Sequence, residues 1–125
     1  MKRIRFGRMQ LKIMKLLWAG EALTARDLTE SLNKREAVAH STVQTLLRKL
    51  EAKEAVGHRE KGRTFWFFPL VNEEKATKGV IRDFLARLFH GSPGELAAHL
   101  VENEKISRAD LQRLRALIEQ REKKL

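Results

Sequence analysis

The stretch HSTVQTLLRKL, residues 40–50, has the pattern of a helix whose two sides differ in chemistry. Apolar residues recur in it at i, i+3, i+4 and i+7, which places them on one side of a helix. They are Val43, Leu46, Leu47 and Leu50. The first two turns of the other side carry short hydroxyls and an amide, where a solvated helix would carry mostly Lys and Glu. These residues are Ser41, Thr42, Gln44 and Thr45. The pattern predicts a helix over about residues 41–53 that packs on one side and offers hydrogen-bonding groups on the other.

Two helical patterns precede this stretch. The first covers about residues 8–19 and ends before Gly20, as a helix with a C′ glycine would. Its inward residues are Met9, Ile13, Leu16 and Leu17. The second is predicted over about residues 25–33, because Thr24 is a good N-cap and Asp27 completes a capping box. Leu28 and Leu32 would point inward, and residues 21–23 allow a very short extended segment between the two helices.

Downstream, VGHREKGRTFWFFPL (residues 56–70) predicts a β-hairpin. Gly62 separates two short runs of strand-forming residues, the tip is expected at about residues 60–63, and Pro69 closes the second strand. The aromatic run alternates Phe65 and Phe67 with Trp66 and Phe68, and Trp66, like Trp18, is expected in the core. Three short helices followed by such a hairpin describe a winged helix-turn-helix domain, in which the hairpin is the wing.

From residue 72 onward the pattern is helical throughout. HGSPG (residues 90–94) interrupts it, with Ser92 as an N-cap and Pro93 at the first helical position, and Ser107 with Asp110 begins another helix. Three short helices form a poor core alone, so their apolar stripes favour pairing with a second copy of the chain. They could instead fold back on the N-terminal domain. The candidate dimerisation residues are Val80, Ile81, Phe84, Leu85, Leu88, Leu100, Leu111, Leu114 and Ile118.

The net charge of +10 is concentrated in the predicted winged-helix part. Residues 1–70 hold 15 Lys and Arg against 7 Asp and Glu, a surplus of +8, whereas residues 71–125 hold 11 against 9, a surplus of +2. A concentrated basic field attracts polyanions, nucleic acid first and an anionic membrane surface a distant second. The sequence therefore points to a nucleic-acid partner.

Other classes of protein are disfavoured by what the sequence lacks. It has no cysteine, which excludes disulfides, thiolate metal sites and cysteine nucleophiles. The basic and apolar N-terminus resembles a signal peptide, but Lys12 and Lys15 interrupt it, and we interpret it as a helix. No apolar run approaches the roughly 18 residues of a membrane span, so a cytoplasmic location is expected.

Two groups of side chains are candidate DNA contacts. Gln44 can pair through its amide with adenine N6 and N7, which is worth roughly 1–3 kcal/mol of discrimination. Its neighbours on the same side, Ser41, Thr42 and Thr45, can bond to phosphates or base edges. The second group would contact phosphates and position the protein without specifying sequence. Its members are Arg26, Arg48, Arg59, Lys61 and Arg63. In each case the alternative is an ordinary solvated side chain.

No residue pattern supports catalysis or a cofactor. GHREKGRT (residues 57–64) resembles a phosphate-binding loop in its glycine spacing, but Arg63 stands where lysine is required and a strand follows where a helix should. The histidines at 40, 58, 90 and 99 lack metal-ligand spacing, and no Ser/His/Asp set or carboxylate pair stands out. We therefore expect neither an enzyme nor a cofactor or metal site.

Several of these motifs together resemble the penicillinase-repressor family, the repressors of β-lactamase, methicillin-resistance and copper-ATPase operons. They are LKIMKLLW (11–18), STVQTLLRKLEAKE (41–54), GRTFWFFP (62–69) and LFHGSPGEL (88–96). The resemblance runs in register from about Arg8 to Leu125. It implies a dimeric repressor that places its third helix in the major groove of each half of a palindromic operator. The helices after residue 72 would join the two subunits.

Three departures from the family pattern affect what the resemblance implies. Some relatives carry Lys and Arg where this chain has Ser41 and Gln44, so its operator can differ. The copper-responsive members use C-terminal cysteine pairs, which this chain lacks. In the β-lactam-responsive members a sensor protease starts induction by cleaving an Asn-Phe bond, which aligns with His99-Leu100. That difference argues against cleavage here and leaves the inducing signal open.

The sequence thus predicts a mainly α (α+β) protein, with a winged-helix DNA-binding domain over residues 1–71 and a helical dimerisation region over 72–125. Its expected function is repression of transcription by a homodimer bound to a specific double-stranded operator, with no membrane association. Two alternatives remain. A winged-helix protein–protein interaction module would have no DNA affinity, and a non-specific architectural DNA binder would not depend on Gln44.

Overall fold

The computed structural model describes residues 4–125 and confirms a mainly helical fold with one small sheet. In chain order its elements are α1 (Arg8–Trp18), β1 (Leu23–Thr24), α2 (Ala25–Asn33), α3 (His40–Ala52), β2 (Val56–Lys61), β3 (Thr64–Pro69), α4 (Glu73–Leu88), α5 (Pro93–Asn103) and α6 (Arg108–Lys123). The chain divides into two compact units, one that ends at Asp83 and one that comprises Phe84–Leu125. This structural division lies within α4. The functional boundary after residue 71 stays a prediction.

The predicted cap of α2 is confirmed. Thr24 Oγ1 accepts a hydrogen bond from the Asp27 backbone N at 3.0 Å, and Asp27 Oδ2 accepts one from the Thr24 backbone N at 3.1 Å. This reciprocal pair satisfies two amides that the first turn of a helix leaves unpaired. Gly20 follows α1 as predicted, but its φ is not positive, so the helix ends without the left-handed residue that a C′ glycine usually supplies.

The core of the first unit lies where α1, α2, α3 and the sheet meet. Its buried residues are Ile13, Met14, Leu17, Leu28, Leu32, Val43, Leu47, Leu50, Ala55, Val56 and Phe67. Most of the inward residues predicted from periodicity are among them. Met9, Leu16 and Leu46 are only half-buried, at the edge of the core. Burial of such side chains contributes roughly 1.5–3 kcal/mol each, which makes this cluster the main stabilising element of the unit.

Gln10 is a buried residue that periodicity did not single out, with 6% of its surface exposed. Its Oε1 accepts hydrogen bonds from the Gly7 backbone N at 2.9 Å and from Lys53 Nζ at 3.0 Å. A buried amide is tolerated when its polar atoms are paired. The side chain therefore caps the start of α1 and links it to the end of α3.

The sheet has the order β1-β3-β2 and is antiparallel throughout. Thr24 lies opposite Trp66 in one ladder and Lys61 opposite Thr64 in the other. The prediction that Trp66 lies in the core is wrong, since it is 36% exposed. Alternation along β3 turns Phe67 to the core and Trp66 to the other face of the sheet. Trp18 is half-buried, and its Nε1 donates to the Val71 carbonyl at 2.9 Å.

The hairpin turn is shorter than predicted. Glu60 and Lys61 belong to β2, and the turn itself consists of Gly62 and Arg63, with φ of +58° and +65°. Two successive residues with positive φ are typical of the tight hairpin turn whose twist matches that of the strands. At Gly57 a Cβ would lie 3.0 Å from the Phe68 ring, so a larger residue there would require the ring to shift by a few tenths of an ångström.

The helices of the second unit begin as predicted. Ser92 Oγ accepts from the Glu95 backbone N at 3.1 Å with Pro93 next in the chain, and Ser107 Oγ accepts from the Asp110 backbone N at 3.1 Å. Of the candidate dimerisation residues, Leu85 is buried and Val80 is half-buried. The others are exposed: Ile81, Phe84, Leu88, Leu100, Leu111, Leu114 and Ile118. Over residues 4–125, no helix is long and apolar enough to cross a membrane.

Candidate nucleic-acid interface

Helix α3 separates its apolar and polar residues by side, as its sequence predicts. Val43, Leu47 and Leu50 are buried in the core. The four predicted contact residues on the other side are all exposed: Ser41, Thr42, Gln44 and Thr45. An α-helix with its side chains is about 10–12 Å across, and the major groove of B-DNA is about 12 Å wide. The exposed side of α3 therefore has the size and the chemistry to enter that groove.

The hydrogen bonds within α3 determine which of these polar groups are free. Thr45 Oγ1 donates to the Ser41 carbonyl at 3.0 Å and accepts from Arg48 Nη2 at 3.2 Å. Its hydroxyl is therefore already engaged, and its methyl group is the part left for an outside partner. Gln44 makes no side-chain hydrogen bond to any described residue, so both ends of its amide are available for a base edge.

The cations predicted for the wing occupy different positions along it. Arg63 is in the turn, and Lys61 is the last residue of β2 beside it. Arg59 lies farther from the tip, opposite Trp66, with its guanidinium 5.5 Å from the centre of the Phe68 ring. Since side chains alternate along a strand, Arg59 and Lys61 share one face of the hairpin. They form a short basic row that leads to Arg63.

A groove brings α3, the start of α2 and the wing together; we call it the α3–wing groove. It has a volume of about 670 Å³ and an apolar floor that includes Leu47, Phe65 and Phe67. Four predicted contact residues line it: Arg26, Gln44, Arg48 and Arg63. The other lining residues are Thr24, Ala25, His40 and Thr64. The fold thus assembles three arginines and one free amide from segments that are separate in the sequence.

Not every predicted contact lines this groove. Ser41, Thr42 and Thr45 are exposed on α3 outside it, and Arg59 and Lys61 lie along the hairpin. His40 lines the groove although sequence reasoning considered it only as a metal ligand and rejected that role. A signal was present, because His40 and Gln44 are four residues apart and therefore neighbours on one side of a helix.

A hydrogen-bonding contact joins the wing to α3, and a ring stack packs the two strands of the wing together. His58 Nδ1 lies 2.6 Å from Glu51 Oε1, and its ring stacks on Phe65 with a centroid distance of 4.1 Å. Glu51 belongs to the last part of α3 and Phe65 to β3. The contact with Glu51 links the hairpin that carries Arg63 to the end of α3.

One charge cluster of the first unit, formed by Arg8, Lys12 and Glu36, lies outside the α3–wing groove. Glu36 accepts hydrogen bonds from Arg8, one of them 2.9 Å from Nη1, and from Lys12 Nζ at 2.9 Å. The hydrogen bonds from Arg8 and then Lys12 lower the pKa of Glu36 to about 2, and the same carboxylate raises the pKa of Arg8. Among the described residues no carboxylate lines the groove, although Arg26 pairs with Glu30 on the same helix at 3.4 Å.

The described residues, 4–125, form no cluster of His, Cys, Asp or Glu suited to binding a metal ion. The loop that resembles a phosphate-binding motif, residues 57–64, lies in β2, the turn and the start of β3. A strand follows it where a phosphate-binding loop requires a helix, in agreement with its rejection from the sequence.

Comparison with known proteins gives consistent matches. A family model described as "Penicillinase repressor" matches residues 6–120. The transcriptional regulator BlaI of Mycobacterium tuberculosis is 32% identical over 120 residues, which cover 94% of this chain and 86% of the relative. The penicillinase repressor of Bacillus licheniformis is 25% identical over 111 residues, 89% and 87% of the two chains.

A solved structure of a relative also matches this chain. It is the solution structure of the monomeric form of Bacillus licheniformis BlaI in complex with the blaP half-operator. The match has a TM-score of 0.51 and 27% identity, and it covers 59% of this chain and 90% of that chain.

Proposed function

Because the chain belongs to the penicillinase repressor family, we propose that it represses transcription by binding a specific double-stranded DNA operator as a homodimer. The observation that carries the proposal is the unpaired amide of Gln44 on the exposed side of α3, beside a groove lined by Arg26, Arg48 and Arg63. The half-operator complex of the related Bacillus licheniformis BlaI supports it. A bound repressor of this kind acts by blocking access of RNA polymerase to the promoter.

Sequence is read, in this proposal, by the first two turns of α3. Gln44 pairs through its amide with adenine N6 and N7 in the major groove. Ser41 and Thr42 bond to phosphates or base edges, and Thr45 packs its methyl group against a thymine methyl, since its hydroxyl is engaged within the helix. The expected preference is therefore for an A·T base pair opposite Gln44.

The cations around α3 position the protein on the duplex. Arg26 and Arg48 flank the recognition side, and Arg63 extends from the wing toward the adjacent backbone or minor groove. Arg59 and Lys61 lie along the hairpin on the face that carries Trp66, whereas Phe65 and Phe67 on the other face line the groove. Each phosphate contact releases bound counterions, so affinity falls with salt concentration in proportion to the number of contacts. These residues contribute affinity and register, and they carry little information about sequence.

Dimerisation is assigned to the helical region over residues 72–125. Seven of its nine candidate residues expose large apolar side chains in the single chain. Contiguous exposed apolar surface is costly in water and commonly marks a protein interface. A symmetric pair of subunits also fits a palindromic operator, because each copy of α3 would bind one half-site.

Induction by a sensor protease is the part of the family pattern with the least support. The aligned bond, His99-Leu100, lies inside α5 (Pro93–Asn103), and the His99 carbonyl accepts a hydrogen bond from Asn103 Nδ2 at 2.9 Å. A protease needs an extended substrate, so this helix would have to unwind first. We therefore assign no inducing signal.

The proposal is tested by selecting bound fragments from genomic DNA with the full chain and then measuring affinity for the recovered duplex and for random DNA. Gln44→Ala is expected to lower the specific-to-random affinity ratio by roughly 5–150-fold per subunit, equivalent to 1–3 kcal/mol. The matched control is Gln120→Ala, which removes an exposed glutamine from α6 and should leave the ratio unchanged. An unchanged ratio for Gln44→Ala removes its base-reading role. Failure of the wild-type chain to prefer any sequence would instead favour a non-specific architectural binder.

A further inference from the structure

His40, the first residue of α3, is held by a short chain of hydrogen bonds. Its Nδ1 lies 3.2 Å from Thr29 Oγ1, and Thr29 Oγ1 lies 2.7 Å from the Ala25 carbonyl oxygen. Thr29 and Ala25 both belong to α2, so this chain joins the two helices that flank the α3–wing groove. The imidazole is exposed and forms part of the groove wall.

The direction of these bonds follows from the donors available. A carbonyl oxygen can only accept, so the single hydroxyl hydrogen of Thr29 is committed to Ala25. The remaining capacity of Thr29 Oγ1 is as an acceptor, and His40 Nδ1 must therefore carry a hydrogen. Nε2 is the ring nitrogen left over, and it has no hydrogen-bond partner among the described residues. This chain of hydrogen bonds thus orients the ring and leaves Nε2 free for an outside group.

The charged residues that line the groove with His40 are all arginines. Arg26 from α2, Arg48 from α3 and Arg63 from the wing line the same groove, and no carboxylate does among the described residues. Glu30, which pairs with Arg26 at 3.4 Å, is the nearby acidic group on α2. A DNA phosphate bound in the groove would place an anion beside the ring, and a doubly protonated imidazole could donate to it.

We propose that His40 is a further DNA contact that takes up a proton from solvent on binding and donates from Nε2 to a backbone phosphate. In the protonated ring both nitrogens are donors, so Nδ1 keeps its bond to Thr29 while Nε2 faces the DNA. His40 lies one helical turn before Gln44, which places this phosphate contact next to the base that Gln44 reads. The inference rests on the proposed operator binding and adds a pH-dependent term to it.

The test compares the full-length wild-type chain with His40→Gln on the duplex recovered by selection, at pH 6 and pH 8 and over a range of salt. At pH 6 the variant is expected to bind about tenfold more weakly per subunit, because it loses a charge-assisted hydrogen bond. Its plot of log affinity against log salt should be shallower by about 0.9 per subunit. At pH 8 the affinities and slopes of the two proteins should differ less than at pH 6, because binding that takes up a proton becomes less favourable as pH rises.

Two further variants separate this contact from general effects. His90→Gln changes an exposed histidine at the end of α4 and should behave as wild type at both pH values. Thr29→Val removes the acceptor for Nδ1. At pH 6 its affinity for the duplex should lie between that of the wild type and that of His40→Gln. If Thr29→Val binds as tightly as the wild type at pH 6, the hydrogen bonds from His40 through Thr29 to Ala25 have no role in orienting the ring.

The outcomes distinguish this inference from the function on which it rests. Equal affinity and salt slope for His40→Gln and wild type at pH 6, with operator preference intact, overturn the His40 contact and leave the proposed function standing. If His40→Gln loses the same affinity at both pH values, His40 makes a neutral contact and the proposed proton uptake is wrong. A wild-type chain with no preference for the selected duplex overturns the proposed function itself.

Discussion

The unit that ends at Asp83 and the unit Phe84–Leu125 are stabilised in different ways. In the first, side chains far apart in the sequence are joined: Arg8 and Lys12 bind Glu36, Trp18 binds Val71, and Lys53 binds Gln10. In the second, the side-chain hydrogen bonds join residues no more than four apart, such as Ser107 with Asp110. No ion pair forms within Phe84–Leu125, all of which the structure describes.

Burial differs in the same direction. The first unit encloses an apolar core, whereas α5 and α6 have no buried residue at all. Helices of 11 and 16 residues, as these are, are marginal on their own in water. In both units, caps and periodic apolar residues are enough to specify the helices. Only in the first unit do those helices also pack around a buried apolar core. In the proposed dimer, the second unit obtains apolar contact from another copy of the chain.

Leu50→Ala should have the largest effect on stability. Leu50 is fully buried in the core of the first unit, and removing its side chain leaves a cavity that the neighbours fill only in part. The free energy of unfolding is expected to fall by about 2–5 kcal/mol, measured by urea denaturation at a fixed protein concentration. The comparison between the units fails if this loss is no larger than that caused by Leu→Ala in α6.

Leu114→Ala is that matched substitution, in the region proposed to dimerise. Leu114 is 39% exposed in the single chain, so its truncation removes surface that would be buried only in a dimer. The dissociation constant of the dimer is expected to rise by about tenfold or more, since a buried leucine contributes roughly 1.5–3 kcal/mol and each dimer loses two. Sedimentation equilibrium over a range of concentrations measures it.

The control for this substitution is Leu70→Ala, which truncates an exposed leucine between β3 and α4 and should leave the dissociation constant unchanged. A wild-type chain that is monomeric at all concentrations would contradict the proposed role of the second unit. If Leu114→Ala and Leu70→Ala raise the dissociation constant equally, Leu114 is not a specific dimer contact.

The sequence was sufficient wherever a structural feature depends on neighbouring residues. The caps at Thr24 and Ser107 were predicted from a hydroxyl followed three residues later by a carboxylate, and both are confirmed. The family was predicted from motifs spread along the chain, and the family model over residues 6–120 confirms it. Trp66 was misplaced because alternation shows that a strand has two faces, but not which of them meets the helices.

The sequence was sufficient to choose most residues of the candidate site, but not to show how they are arranged. Arg26, Gln44, Arg48 and Arg63 could be chosen from charge and helical position, but their meeting in one groove depends on how α2, α3 and the wing pack. The orientation of His40 depends on the same packing, because its partner Thr29 lies on another helix. Gln10 was missed for a similar reason: a glutamine is expected at the surface unless tertiary contacts pair its amide.

Glu36→Gln should have the smallest effect on stability of these substitutions. It tests whether the long-range polar contacts found in the first unit, and not in the second, contribute to stability. The pKa of Glu36 is lowered from its ordinary 4.5 to about 2 by hydrogen bonds from Arg8 and then Lys12. A carboxylate whose pKa is lower in the folded state stabilises that state above its unfolded pKa and loses this contribution as pH falls toward the folded value. The wild type should therefore be more stable than the variant above about pH 4.5, and the difference should disappear as pH approaches 2.

The size of this difference is limited because the Glu36 side chain is 40% exposed and its ion pairs are screened by water and salt. Thermal unfolding at low salt, followed from pH 7 to pH 2, is the measurement that resolves it. The matched control is Glu102→Gln in α5, where the carboxylate forms no ion pair and substitution should give no pH-dependent difference. If Glu102→Gln shows the same pH profile as Glu36→Gln, the contrast between the units in long-range polar contacts has no consequence for stability. If only Glu36→Gln shows it, the contact that joins α1 to the segment before α3 is a measurable part of what makes the first unit self-sufficient.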